Sequence, residues 1–166
     1  QKVRLFNVKI TGKYVIGSLA GYIGGWGYID NCGVHNLDIT STNTNLNDII
    51  SVGGFVGYFD GAYATNSYVN GFITTTHGRR IGGFTGDMNS SYRTIQNCYS
   101  NVGVHGEDDS YEIGGFIGCI SSGTVRNSYS SGYFYAGTSS SKKGGFGGDK
   151  LTGAVSADNF WDTQTS

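Results

Sequence analysis

Carboxylates, thiols, imidazoles and paired basic residues are sparse in this chain, and their spacing limits the chemistry open to it. Asp87 and Asp149 share one slot just after a recurring glycine phrase, with Cys119 in that slot on the unit between them. Glycan-cleaving sites need paired carboxylates on adjacent turns of a scaffold. Two units apart, these two are expected as solvated turn residues. The run Glu107-Asp108-Asp109-Ser110-Tyr111-Glu112 is the densest acidic stretch. It offers the oxygen ligands that calcium prefers but lacks the alternating Asp/Asn around a fixed glycine of known calcium loops, so it reads as a solvated loop. His35, His77 and His105 fall at unrelated positions, with no His-x-x-x-His or Cys-x-x-Cys spacing. No metal site and no cofactor are expected from them. Arg79-Arg80 and Lys142-Lys143 are expected on one lateral edge, where they serve solubility. No residue is assigned a catalytic role, and Asn89-Ser90-Ser91, on an expected turn, is a candidate glycosylation sequon.

What must position these residues is a repeat. Ile113-Gly114-Gly115-Phe116-Ile117-Gly118 recurs as phrases starting at 52, 81 and 143, with a degraded copy at 16, so the periods are 36, 29, 32 and 30 residues. About fourteen residues after each glycine pair comes a second phrase: Asn31-Cys32-Gly33, Asn66-Ser67-Tyr68, Asn97-Cys98-Tyr99, Asn127-Ser128-Tyr129 and, more loosely, Asp158-Asn159-Phe160-Trp161. Periods of this length mark solenoids, propellers and arrays. Each unit reads as three short strands in one order: the glycine phrase, a strand ending at the Asn phrase, and an alternating strand after it. A propeller blade needs four antiparallel strands and about 40 residues. The expected fold is therefore all-β, a single parallel β-solenoid (β-helix) of about five coils with three strands each, wound right-handed as parallel crossovers prefer.

The expected units are 16–51, 52–80, 81–112, 113–142 and 143–166, within one domain, 1–166. Residues 1–15 supply an N-terminal strand or partial coil, with a bulge where the alternation shifts at Phe6-Asn7; a free arm is the alternative. Matching residues should stack coil on coil: Phe55, Phe84, Phe116 and Phe146 inside, Asn31, Asn66, Asn97 and Asn127 at a bend, and Tyr68, Tyr99 and Tyr129 after it. Asparagine suits the bend because it tolerates left-handed torsions and bonds neighbouring backbone. Length variation should fall between the third strand and the next glycine phrase.

Composition agrees with a folded, turn-rich object. There are 29 glycines, 12 tyrosines and 9 phenylalanines, with no proline, which excludes collagen. A net charge of −1 gives no field to gather nucleic acid. No apolar stretch is long enough for a membrane span. Three cysteines cannot form a complete disulfide set. Cys32 and Cys98 share a slot two coils apart, roughly 9.6 Å at the spacing of stacked strands, too far for a bridge. Both read as small buried residues, and Cys119 as a free thiol. A flat threonine array of the ice-binding kind is not sustained in the later units.

The Gly-Gly-Phe-x-Gly phrase, the Asn-Ser/Cys-Tyr phrase and the closing Asn159-Phe160-Trp161-Asp162-Thr163-Gln164-Thr165 together resemble GLUG-motif repeat proteins. The resemblance spans about residues 14–166, with Phe where the family usually has Leu and Lys143 where an apolar residue is expected. It implies a secreted or cell-surface microbial protein in which the repeats act as stalks or adhesive regions, with no catalytic residues.

The expected function is a non-enzymatic extracellular structural or adhesive module. The alternative is a glycan-active β-helix enzyme of the polysaccharide lyase or glycosidase kind, whose mark would be charged residues stacked on neighbouring coils; none is evident in the sequence. Expected partners are neighbouring copies or flanking domains of a larger surface protein, and host or environmental glycans. Apolar strands at the start and Phe160-Trp161 at the end leave two expectations open: a module excised from a longer protein, or a head-to-tail filament subunit.

Overall fold

The computed structural model describes residues 2–45, 48, 50–107, 109–138 and 141–164. All its regular structure is β, in three parallel sheets that stack as a solenoid of five turns. The first sheet takes Val15–Ile16, Ser51–Gly53, Arg79–Gly82, Tyr111–Gly114 and Lys143–Gly144. The second begins each time just beyond the phenylalanine, or Leu19 in the first coil, at Ala20–Gly24, Val56–Asp60, Thr85–Gln96, Ile117–Arg126 and Gly147–Lys150; Tyr28–Asp30, Tyr63–Thr65 and Val155–Ala157 extend it. The third holds the strands after the Asn phrase: Arg4–Gly12, Gly33–Ser41, Tyr68–Thr75, Tyr99–Gly106, Tyr129–Ser130, Phe134–Ala136 and Phe160–Trp161.

One expectation is corrected here. The glycine phrase is a corner between two sheets, with its bend at the second glycine and the phenylalanine, rather than a strand. The third glycine explains why the corner can close. A Cβ on Gly118 would lie 2.4 Å from the Ile81 nitrogen and one on Gly148 2.4 Å from that of Ile113, so each second-sheet strand starts in backbone contact with the coil before it. Any side chain there would force the corner open.

The phenylalanines project inward at that corner and form the spine of the core. Phe55, Phe84, Phe116 and Phe146 stack with ring centroids 4.7, 4.9 and 4.8 Å apart, an offset of one coil per ring. Their backbone continues the ladder, Phe84 N–H donating to Phe116 O at 2.7 Å and Phe116 N–H to Phe146 O at 2.9 Å. A second column, Ile10, Ile39, Ile73, Val104 and Phe134, fills the third sheet's inner face in unbroken register.

The other corner is the Asn phrase. Asn31, Asn66, Asn97 and Asn127 all adopt positive φ, 48° to 54°, and Asp158 does so in the last coil. A short polar side chain is what makes this torsion affordable without glycine. Residues Arg4–Gly12 pair in parallel with Gly33–Ser41, so the first segment is the third strand of a partial coil and not a free arm. Its phase shift is real: Asn7 and its neighbour Asn36 both have positive φ, 54° and 55°, and the Asn36 amide donates to Asn7 Oδ1 at 2.8 Å. The chain returns from the third sheet to the first through links of unequal length, between Ser41 and Ser51, Thr75 and Arg79, Gly106 and Tyr111, and Ala136 and Lys143.

Candidate functional site

The Asn and Tyr columns are the outward counterparts of the phenylalanine spine. Asn97 donates to Asn66 Oδ1 at 3.4 Å, Asn66 donates to Asp30 Oδ1 at 2.9 Å, and Arg4 donates to Asn31 Oδ1 at 2.8 Å. These amides therefore bond along the axis, partly to each other and partly to charged neighbours. Tyr99 and Tyr129 stack at 5.6 Å, whereas Tyr68 meets His35 edge-on at 5.0 Å and accepts or donates a 2.6 Å hydrogen bond with its Nε2. One slot beyond each Asn, Ser67 Oγ accepts the Cys32 N–H and Ser128 Oγ accepts the Cys98 N–H, at 3.1 and 3.3 Å. Cys32, Cys98 and Cys119 are all buried. Burial pushes the Cys98 thiol up to about 12.

The outside of the glycine corner holds what the sequence reading missed. The residue just before each glycine phrase and the residue just after it face one another across the bend. In the last three coils these are Arg80 with Asp87, Glu112 with Cys119, and Lys142 with Asp149. Arg80 Nη1 donates to Asp87 Oδ2 at 2.6 Å and its Nε to Glu112 Oε2 at 3.0 Å; Lys142 Nζ lies 2.8 Å from Asp149 and 3.7 Å from Glu112. Arg79 adds a third cation, 3.6 Å from Glu112 and 5.0 Å above the Tyr111 ring. Arg80, Glu112 and Lys142 all take positive φ, 65°, 58° and 57°, an unusual torsion for long side chains that repeats at one slot.

Four expectations are therefore corrected. Asp87 is fully buried rather than a solvated turn residue, Glu112 is buried rather than part of a solvated loop, and Arg80 and Lys142 are ion-pair partners rather than solubilising charges. Charged residues also do stack on neighbouring coils. The reason is the closed corner, which brings positions seven apart in sequence, such as Arg80 and Asp87, within hydrogen-bonding distance. Asp108 lies outside the described residues.

The electrostatics follow from burial. Desolvation pushes the Asp87 carboxyl above its ordinary range, opposed by Arg80 and by Ser121, whose hydroxyl donates to Asp87 Oδ1 at 2.8 Å. Burial lifts the Cys119 thiol to about 11. The hydrogen bond from Lys142 holds Asp149 below the usual carboxylate range. Glu112, Cys119 and Asp149 bring one donor atom each within 4.8 Å of one another, the kind of set that holds a divalent ion. Here Lys142 already pairs with Asp149 and Arg80 with Glu112, and the thiol keeps its proton, so the set fits an internal ion-pair network better than a metal.

Two flanks carry exposed aromatics. On the third sheet, Phe72 and Tyr133 stand out beside the amides of Asn70 and Asn101 around an open cleft of about 320 Å3. On the second, Trp26 is 86% exposed, in the turn Gly24-Gly25-Trp26-Gly27, with the Arg93 guanidinium 3.9 Å from its ring centroid. A tryptophan among three glycines was the available signal for this flank. Asn89 lies in the strand Thr85–Gln96 at a register shift, not on the expected turn. Its amide donates to Tyr58 Oη at 3.2 Å and its carbonyl accepts from Ser122 at 2.9 Å. Comparisons with protein-family models, with curated proteins and with solved structures return no match.

Proposed function

We propose that the chain is a non-enzymatic extracellular module, structural or adhesive, secreted or displayed on a cell surface. The observation that carries this reading is the division of labour between inside and outside. Apolar and backbone ladders run coil to coil inside, while Phe72, Tyr133, Trp26 and Tyr92, each more than half exposed, stand on the flanks. Exposed aromatics beside amides are the kind of surface that a partner or ligand can cover. The resemblance to GLUG-motif repeats supports the same role. Adhesion of beads coated with the chain to glycan-coated and bare surfaces tests it. Retention above that of an unrelated β-protein is expected; no retention on any surface overturns the adhesive part.

A glycan-active enzyme is the second reading, because Asp87, Glu112 and Asp149 do gather on three neighbouring coils. Each is paired with a cation, and Asp87 is closed to solvent, which favours a structural role for the cluster. Incubation with neutral and acidic polysaccharides is expected to leave them intact. Turnover lost on Asp149→Asn would establish the enzyme instead.

A further inference from the structure

We propose that the cleft between the Trp26 turn, the Asp60-Gly61 turn and the Asn89–Arg93 stretch is a saccharide site, taking a neutral pyranose unit stacked on Trp26. The inference rests on the adhesive reading and names the ligand class it would use. Three successive coils build this open, shallow cleft of about 430 Å3.

The indole is held rather than loose. Arg93 stacks on it at 3.9 Å, lies 4.8 Å over the Tyr63 ring and donates to Tyr63 Oη at 2.8 Å. One indole face is therefore fixed on a cation while the residue stays 86% exposed. An aromatic face is the electron-rich complement of the polarised C–H face of a pyranose ring. It can bind that face without recognising any particular hydroxyl.

The polar groups beside it are fixed too. Asp60 Oδ2 accepts from Tyr22 Oη at 2.7 Å, which orients the carboxylate; Asn89 is pinned by Tyr58 and Ser122. Gly61 N–H donates to Ser90 Oγ at 2.9 Å, tying the second turn to the third coil, and a Cβ on Gly61 would lie 2.6 Å from Gly25 O, so the first two turns are in contact. The result is a platform with a planar acceptor at its edge, preorganised by coil stacking. Asp60 suits vicinal hydroxyls as hydrogen-bond donors. With Arg93 committed to Trp26 and Tyr63, the cleft offers an acidic sugar no free cation, and a neutral one is favoured.

Isothermal titration of the full chain with cellohexaose, laminarihexaose, chitohexaose and mannohexaose tests the site. At least one probe is expected to bind with a Kd below about 1 mM, and Trp26→Ala and Asp60→Asn should each weaken it about tenfold or more. Tyr133→Ala, on the other flank, should leave it unchanged. Circular dichroism of each variant confirms folding, which substitution of so exposed a residue as Trp26 should preserve. Silence from all four probes, or binding that survives either cleft substitution, overturns the proposal. Adhesion of coated beads with no probe binding removes this site and leaves the adhesive role standing. Cleavage of a bound probe keeps the site and overturns the non-enzymatic role.

Discussion

Inside and outside the same glycine corner, the chain builds two ladders that step once per coil, and they obey opposite rules. The inner ladder repeats itself: phenylalanine on phenylalanine at 4.7 to 4.9 Å. The outer ladder alternates: Arg80, Glu112, Lys142 in one column and Asp87, Cys119, Asp149 in the other. Like rings attract when stacked, so identity is the stable solution for apolar side chains. Like charges one coil apart repel, so stability there needs complementarity.

The sharpest way to break the inner rule is Phe116→Ala, which opens a hole at the centre of the spine. It should lose about 3–5 kcal/mol, read from the midpoint shift in urea. For the outer rule, Glu112→Ala removes the anion shared by Arg80, Arg79 and Lys142. Because those cations can still reach water, the cost should be about 1–3 kcal/mol, less than for a sealed pair. Glu112→Lys should cost more than Glu112→Ala, with the difference shrinking at high salt. Equal melting temperatures for the two variants would show that charge order is immaterial there.

Cys119 offers a finer test. Cys119→Asp would place three carboxylates in one column and should cost about 1–3 kcal/mol, whereas Cys119→Ser should stay within about 1 kcal/mol. The thiols also set an alkaline limit. The folded chain holds the Cys98 proton up to about 12, while an ordinary thiol releases it near 9.0. Stability is then full below pH 9 and falls as pH rises toward 12, by roughly 1 kcal/mol per pH unit in that window. Cys98→Ser, the residue at the matching positions 67 and 128, should flatten that limb in urea titrations between pH 8 and 11. The smallest effect belongs to Lys9 and Asp38, an exposed pair at 3.5 Å. Lys9→Ala should change stability by no more than about 0.5 kcal/mol.

The contrast also explains what could be read from the sequence. Identity at a fixed period is visible in one chain, so the Phe spine, the left-handed Asn bends and the parallel coils were legible. Complementarity is not: Arg80, Glu112 and Lys142 share a slot yet look unrelated, and Ser51 holds that slot in the second coil. The pairing of residues seven apart depends on the corner closing through Gly86, Gly118 and Gly148, which a reading of the glycine phrase as a straight strand hides. Trp26 was missed because its partner, Arg93, comes from two coils later.

The alternating columns place a parity condition on how such an array can grow. Copying the unit 81–112 alone would set one Glu112 beside a second, and copying 113–142 alone would set two lysines together. Copying both at once keeps every cation next to an anion. A duplication that left the phenylalanine spine intact would still disturb these charged columns unless it copied the coils in pairs.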